Sequence, residues 1–336
     1  MTRCSATPTM DLKSDLPPRP QAQERGGLTR LERLLGLRND GVLAADAVFV
    51  SMDIEVASPV RNAMCPSSSL SSSAGKPVIE QIAFASLDPR NLRRYPRKRR
   101  NIGRMIKVQM FHVGPPGARK PSASVKKRGA RCLFAASRGI TQEQLSGTVR
   151  RALRIRDRSD AAVADGDALR NIVLIGHSIG NNIWMLRHLG IDVCAAAPIL
   201  CTIDTHLVSR HVFLTSQQQP PTAAAEESTH RFCLRGVLAE LGFRPDDASS
   251  FHNAGNDAVY SLYAMLLLAI KEGRVREPEL RVSELRNLDI IDHLVSEALR
   301  GVSEPVDSAK EEESPSAVAK LGAGLQEIAT MFWLRG

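Results

Sequence analysis

The sequence has few aromatic residues, no closely spaced cysteines and no long apolar run. Aromatics make up only 4% of the 336 residues. The longest apolar stretch, Ala258 to Ile270, is shorter than the roughly 20 residues that cross a bilayer. The first twenty residues contain no apolar core of a signal peptide. We therefore expect a cytoplasmic or nuclear protein with no membrane partner.

The cysteines are scattered, without a C-x-x-C pair, which excludes a zinc ribbon and argues against a disulfide framework. Free thiols in a reducing compartment are the expected state. The six are Cys4, Cys65, Cys132, Cys194, Cys201 and Cys233.

Acidic residues are absent from Pro89 to Arg131, where 15 lysines and arginines occur, and the whole chain carries a net charge of +9. A run of one sign indicates either an anion-binding face or a solvated tail. A nuclear-import signal and an unstructured loop are alternatives that the sequence leaves open. With only Tyr95 and Phe111 near enough to stack on bases, no base-specific recognition is predicted. The candidate nucleic-acid-binding residues are Arg93, Arg94, Arg97, Lys98, Arg99 and Arg100.

Three regions follow from composition and periodicity. Residues 1–45 are predicted to form a disordered arm, in which only "LTRLERLLGL" has helical spacing. Residues 46–272 are predicted to form one α/β domain with a mixed sheet flanked by helices, interrupted by a basic insertion at about 89–131. Residues 273–336 are predicted to be a charged linker and a C-terminal helix.

Five strands and several helices are predicted inside the domain. The strands are Ala47 to Val56, "PVIEQIAFASLD", "MIKVQMFHV", Ile172 to Ile175 and "AAPILCTID". The stretch "ITQEQLSGTVRRALRIRD" has helical spacing, with Thr141 as its predicted N-cap. "RFCLRGVLAELGF" is predicted to be a helix that ends at Gly242, and the apolar helix Ala258 to Ile270 completes the core.

The segment "NIVLIGHSIGNNIWMLRHLG" has two interpretations. A strand, a Gly-x-Ser-x-Gly turn and a helix form the nucleophile elbow of an α/β-hydrolase, in which Ser178 would attack an ester. Asp204 and His252 follow in the chain order that a hydrolase triad needs. The upstream sequence, however, offers no His-Gly-Gly-type loop for an oxyanion hole. The other interpretation makes the turn part of a nuclease, in which Ser178 has no chemical role.

Two carboxylates on the first strand favour the nuclease. In "FVSMDIEVAS", Asp53 and Glu55 are two residues apart, so both side chains lie on one face of the strand. Adjacent acids at a buried strand repel each other unless a cation neutralises them, and Mg²⁺ prefers oxygen ligands of this kind. The alternative is a pair of solvated acids at a strand end.

A second pair occurs in "FHNAGNDAVYSLYAMLLLAI", where His252 precedes Asp257 by five residues. Asp257 lies at the start of an apolar helix, and the small residues between the two allow a tight turn. A helix-capping role for Asp257 and a loop position for His252 are the alternatives.

Together "DIE", "GHSIGNN" and "HNAGND" resemble, in this order, the three motifs of the DEDDh 3′–5′ exonucleases of the ribonuclease H-like superfamily, over about Val48 to Ile270. The sequence of these motifs is most similar to that of a fungal exonuclease-like group linked to mRNA export. The resemblance implies a site for two divalent ions, Mg²⁺ or Mn²⁺, with Asp53, Glu55 and Asp257 as ligands. It also implies that His252 is the general base for the attacking water, and that the partner is nucleic acid, with RNA favoured over DNA.

The chain departs from this family at one ligand. Counting five residues past His177, the position of the family's second Asp is Asn182, which is neutral and a poorer ligand for Mg²⁺. Neither Asp192 nor Asp204 is an obvious substitute, although a loop acid or the substrate phosphate is an alternative ligand for the second metal. The site residues are thus Asp53, Glu55, Asn182, His252 and Asp257. With Asn182 at a ligand position, we expect either a weakened nuclease or an inactive module that binds nucleic acid.

Overall fold

The structure is a computed structural model, and its central feature is one six-stranded sheet. The described residues, of which those up to Gly301 belong to one compact unit, are 27–40, 46–56, 78–93, 102–114, 131–157, 168–215, 231–243 and 250–303. In chain order the strands are β1 (Ala47–Val56), β2 (Ile79–Leu87), β3 (Lys107–Gly114), β4 (Ser137–Thr141), β5 (Asn171–Gly176) and β6 (Ile199–Asp204).

The strand order across the sheet is β4-β3-β2-β1-β5-β6. Strand β2 is antiparallel to β1 and β3, whereas β1 with β5, β5 with β6 and β3 with β4 are parallel pairs. This is the mixed sheet that the sequence predicts, and the α/β fold class, a mixed sheet flanked by helices, is confirmed. The five predicted strands all occur, and the first two pair as an antiparallel hairpin.

Strand β4 is not predicted by the sequence, and the helix after it begins later than the predicted N-cap at Thr141. Thr141 is the last residue of β4, and the helix that follows begins only at Leu145, with Gln144 at its N-cap position. Strand β4 escaped notice because "SRGIT" has a single large apolar residue and lies exposed at the sheet edge, where burial imposes no alternating pattern. The residues of the polar turn between β4 and the helix also fit a helical spacing, so the predicted helix begins too early.

Nine α-helices are present in the described part of the chain. They are α1 (Leu28–Leu35), α2 (Pro89–Arg93), α3 (Leu145–Leu153), α4 (Ile179–His188), α5 (Val193–Ala196), α6 (Thr205–Thr215), α7 (Leu234–Glu240), α8 (Ala254–Val275) and α9 (Val282–Ser303). None of the described helices is long and apolar enough to cross a membrane.

The two faces of β1 serve different purposes. Its even-numbered residues, such as Val50 and Met52, join a core formed with helices α3, α4 and α5. Its odd-numbered residues face α8, which packs across β1 and β2. Helix α8 is apolar on almost every side because α1, α6 and α7 cover the surface that the sheet does not. The acids of β1 therefore lie on the face that meets the start of α8.

Helices α1 and α9 extend the ordered chain to both sides of the predicted domain 46–272. Leu28, Leu31 and Leu34 of α1 are buried, as expected for an amphipathic helix with a partner. Buried Glu32 pairs with Arg276 (2.6 Å between Oε1 and Nη1), so a charged contact also holds α1 to the end of α8. The stretch Leu28–Leu35 of the predicted arm is thus helical, because its apolar face has a surface to cover.

Candidate active site

The two acids of β1 occupy neighbouring positions above the same face of the sheet. Glu55 is buried (5% exposed) and lies directly opposite Gln81 of β2 in the antiparallel ladder. Asp53, two residues earlier, is half-buried and lies opposite Ala83. The alternation of side chains along a strand places Asp53 and Glu55 on one face of β1, as the sequence predicts.

The turn before α8 brings His252 and Asp257 to the same place. Asn253 caps α8, since its side chain accepts hydrogen bonds from the backbone N–H groups of Gly255 and Asn256. His252, just before this cap, has a left-handed backbone (φ 62°), which turns the chain sharply. Its backbone N–H donates to Oδ2 of Asp257 at 3.0 Å. Backbone and carboxylate together fix the position of His252 relative to Asp257.

Glu55, His252 and Asp257 form a three-residue cluster, the only one of its type in the part of the chain that the structure describes. One donor atom of each lies within 4.8 Å of the others. Nδ1 of His252 is 4.0 Å from Oε1 of Glu55, and the imidazole is 69% exposed while the Glu55 side chain is 7% exposed. Two buried carboxylates and an accessible imidazole suit a divalent cation and a base that reaches solvent. The donor set therefore fits the metal that the resemblance implies.

Asp53 is not a member of this cluster, and its side chain lies instead beside Asn182. Asn182 is 5% exposed on α4, and its Nδ2 donates to the main-chain oxygen of Met52 at 3.2 Å. The same nitrogen lies 3.5 Å from Oδ1 of Asp53. The structure thus brings Asn182 next to Asp53, where the family motif has a second carboxylate.

Two supporting residues were not found from the sequence. The Oε1 of buried Gln81 accepts a hydrogen bond from the backbone N–H of Ala254, the first residue of α8. Asn256, fully buried, accepts from the N–H of Leu133 at 2.8 Å and donates to the oxygens of Arg131 and Ser250. Ala254 is 173 residues from Gln81, and Leu133 is 123 residues from Asn256, so no local pattern predicts these two contacts.

The Gly-His-Ser-Ile-Gly turn is a packed structural element. A Cβ on Gly176 would lie 2.9 Å from the main-chain oxygen of Met52, so only glycine allows β5 to approach β1 here. Nδ1 of His177 lies 3.1 Å from Oγ1 of Thr205. Burial, with a smaller contribution from the charge of His206, lowers the pKa of His177 from 6.5 to about 4. His177 is therefore a neutral, partly buried side chain at pH 7.

Ser178 and Asp204 meet through the backbone rather than as members of a triad. Oδ1 of Asp204 accepts hydrogen bonds from the N–H groups of Ser178 (2.9 Å) and His206 (3.0 Å). Burial raises the pKa of Asp204, and these N–H groups oppose that shift. Among the described residues, no histidine is hydrogen-bonded to the hydroxyl of Ser178. The contacts of this turn therefore offer nothing to the hydrolase interpretation.

The candidate nucleic-acid-binding residues fall almost wholly outside the described part of the chain. Arg93 is the last residue of α2, and its side chain is not described. The others, Arg94, Arg97, Lys98, Arg99 and Arg100, lie outside the described residues.

One family model matches the region that contains all three motifs. It is described as "DNA polymerase III subunit epsilon-like, C-terminal domain" (DEDDh_C) and matches residues 48–268. A search of curated proteins found no significant match. Among the solved structures that match, one is described as "crystal structure of full-length 3′-exonuclease"; it is 12% identical over 70% of this chain and 85% of its own, with a TM-score of 0.28. A likeness at that TM-score carries no structural argument.

Proposed function

The chain belongs to the DEDDh exonuclease-like family, and on this basis we propose that it is a nucleic-acid-binding, metal-dependent 3′–5′ exonuclease weakened at Asn182. The observation that carries the proposal is the convergence of two distant segments. Glu55 of β1 meets His252 and Asp257 at the start of α8, where a donor atom of each lies within 4.8 Å of the others. Asp53 lies two residues before Glu55 on the same strand, beside Asn182. A helix cap or a solvated strand end alone gives no reason for this convergence.

Each residue has a role in the proposed reaction. Asp53, Glu55 and Asp257 would hold Mg²⁺ or Mn²⁺, which neutralises phosphoryl oxygens and acidifies water when bound. His252 would accept the proton of the attacking water, because its imidazole is exposed while its backbone is fixed by Asp257. Buried Glu55 keeps its carboxylate beside that imidazole, 4.0 Å from Nδ1.

A second candidate function is favoured by Asn182. Its amide places a neutral N–H donor, not a charged ligand, next to Asp53. Losing one negative ligand weakens the electrostatic stabilisation of the phosphoryl-transfer transition state. A domain that binds nucleic acid without cutting it, as a scaffold in RNA metabolism, is therefore the alternative. Nothing in the contacts of Ser178 supports the serine hydrolase as a third.

The substrate class is proposed from the sequence. RNA is favoured over DNA because the sequences of the motifs are most similar to those of the fungal exonuclease-like group linked to mRNA export. The proposed location is the cytoplasm or the nucleus. The basic residues Arg93, Arg94, Arg97, Lys98, Arg99 and Arg100 would neutralise backbone phosphates and release counterions. Binding should then weaken steeply as salt rises.

A time course on 5′-labelled single-stranded RNA and DNA with Mn²⁺ tests the proposal. The wild type should give a ladder of products shortened from the 3′ end, more readily from RNA. Asp53→Ala and chelation by EDTA should both abolish it, while Asn181→Asp, on the exposed side of α4, should not. Binding of both nucleic acids without any ladder would support the scaffold alternative. Absence of both binding and cleavage would refute the proposal.

A further inference from the structure

We propose that this site binds one divalent cation per chain, and that the amide of Asn182 takes the position of a second cation beside Asp53. The inference rests on the proposed function for the location of the site. It differs from that proposal in predicting a binding stoichiometry, which can be measured whether or not the protein cleaves nucleic acid.

The orientation of the Asn182 amide follows from its hydrogen bond to Met52. A main-chain oxygen can only accept, so the group 3.2 Å from it must be the NH₂ end of the amide. That same nitrogen is the atom 3.5 Å from Oδ1 of Asp53. Since Asn182 is 5% exposed on a helix packed against β1, the amide has little freedom to rotate. An N–H dipole therefore points at Asp53, where a second cation would need an oxygen ligand.

Charge balance explains why this arrangement is stable without a second cation. A carboxylate at position 182 would lie against both the oxygen of Met52 and the carboxylate of Asp53, and these like charges would need a cation between them. The amide removes one of the two charges and replaces the repulsion with a donor that faces an acceptor. Asp53 is thus oriented by the protein itself.

The two acids that the sequence offers as substitutes for the missing ligand, Asp192 and Asp204, each accept hydrogen bonds from backbone N–H groups. Oδ1 of Asp192 accepts from the N–H of Cys194 and caps α5. Oδ1 of Asp204 accepts from two backbone N–H groups at the Ser178 turn. Among the described residues, neither acid belongs to the cluster of Glu55, His252 and Asp257.

The opposite side of the site retains a usable set of ligands. The carboxylates of Glu55 and Asp257 are buried, and both lie within 4.8 Å of a nitrogen of His252. No amide donor from Asn182 reaches this side, since its hydrogen bonds go to Met52 and Asp53. One cation at the Glu55 and Asp257 side is therefore the arrangement that these contacts favour.

Calorimetric titration with Mn²⁺, with no nucleic acid present, measures the stoichiometry directly. We expect one ion per chain for the wild type, two for Asn182→Asp and none of measurable affinity for Glu55→Gln. Asn181→Asp is the matched control, because it adds the same charge at the exposed neighbouring position of α4, and should remain at one. A repeat with a phosphorothioate-linked single strand, which resists cleavage, should still give one ion for the wild type.

Each other outcome counts against the inference in a distinct way. Two ions on the wild type, in either titration, would overturn it while leaving the metal-dependent function standing. One ion on both the wild type and Asn182→Asp would remove Asn182 as the cause. One ion on a wild type that never cleaves would support the inference and contradict the proposed nuclease. No binding to any of the proteins would overturn both.

Discussion

The side chain of Gln81 accepts a hydrogen bond from the backbone N–H of Ala254 at 3.1 Å. Gln81 lies directly opposite Glu55 in the sheet, and Ala254 is the first residue of α8. This one contact therefore links the strand that carries the two acids to the helix start that carries Asp257. It sets the separation between the two halves of the site.

Replacing Gln81 with leucine should loosen that link. The N–H of Ala254 would lose its buried acceptor, which costs about 1–3 kcal/mol. We expect the midpoint of urea unfolding to fall and the affinity for Mn²⁺ to fall with it. Gln109→Leu, at an exposed position of β3, is the control and should change neither. Unchanged Mn²⁺ affinity in a folded Gln81→Leu protein would show that the contact has no part in aligning the site.

The close contact at Gly255 gives a second prediction, on stability. A Cβ there would lie 2.5 Å from Sγ of Cys132 and 3.0 Å from Sδ of Met110. Gly255→Ala should therefore destabilise the fold by roughly 1–3 kcal/mol, because the added methyl overpacks the start of α8. Gly180→Ala, in α4 with no atom within 4 Å, should be neutral or stabilising by up to about 1 kcal/mol. If Gly255→Ala were as stable as the wild type in chemical denaturation, the close packing at Gly255 would be contradicted.

A third prediction concerns acid stability. Burial lowers the pKa of His177 to about 4, so between pH 6.5 and 4 the unfolded chain binds a proton at this imidazole and the folded chain does not. The free energy of unfolding should therefore fall as the pH drops through this range, by up to about 3 kcal/mol from this residue.

The test compares His177→Asn with the wild type by urea unfolding at several pH values. The variant should show a smaller loss of stability between pH 7 and pH 4. Asp204, whose raised pKa acts in the opposite sense, is present in both proteins, so its effect cancels in the comparison. His188→Asn, at the exposed end of α4, is the control. Parallel pH curves for His177→Asn and the wild type would show that His177 is not the group responsible.

Ser178 provides a fourth prediction. Its described hydrogen bonds are made by the backbone, whose N–H donates to Asp204 and whose oxygen accepts from the N–H of Asn181. We therefore expect no chemical role for the hydroxyl. Ser178→Ala should leave nucleic-acid cleavage and Mn²⁺ binding unchanged, and a fluorophosphonate probe should label neither protein. Labelling of the wild type that disappears in Ser178→Ala would revive the hydrolase interpretation.

The sequence predicts the parts of this site that depend on local periodicity. Asp53 and Glu55 share a face because strands alternate, and Asp257 lies in the first turn of a helix whose apolar run is evident. The sequence also shows that Asn182 occupies a ligand position, but not which end of its amide faces Asp53. That orientation depends on the oxygen of Met52, 130 residues earlier in the chain.

The sequence does not predict the contacts of Gln81 and Asn256, for a related reason. A glutamine inside an apolar strand carries no signal of its partner, and the register that sets Gln81 opposite Glu55 depends on how β1 and β2 pair. The position of Asn256 immediately before Asp257 was the one available hint. Strand β4 was missed because an exposed edge strand needs no apolar alternation.

The most direct test of the central claim is the rate of cleavage of 3′-ends by the wild type and Asn182→Asp, measured at equal saturation with Mn²⁺ and single-stranded RNA. A carboxylate at position 182 should raise the single-turnover rate on the order of a hundredfold, because a negative ligand strengthens the electrostatic stabilisation of the transition state. The same change in an Asp53→Ala background should have no effect. Equal rates for the wild type and Asn182→Asp, both lost with Asp53→Ala, would show that Asn182 does not weaken the site and would contradict this account.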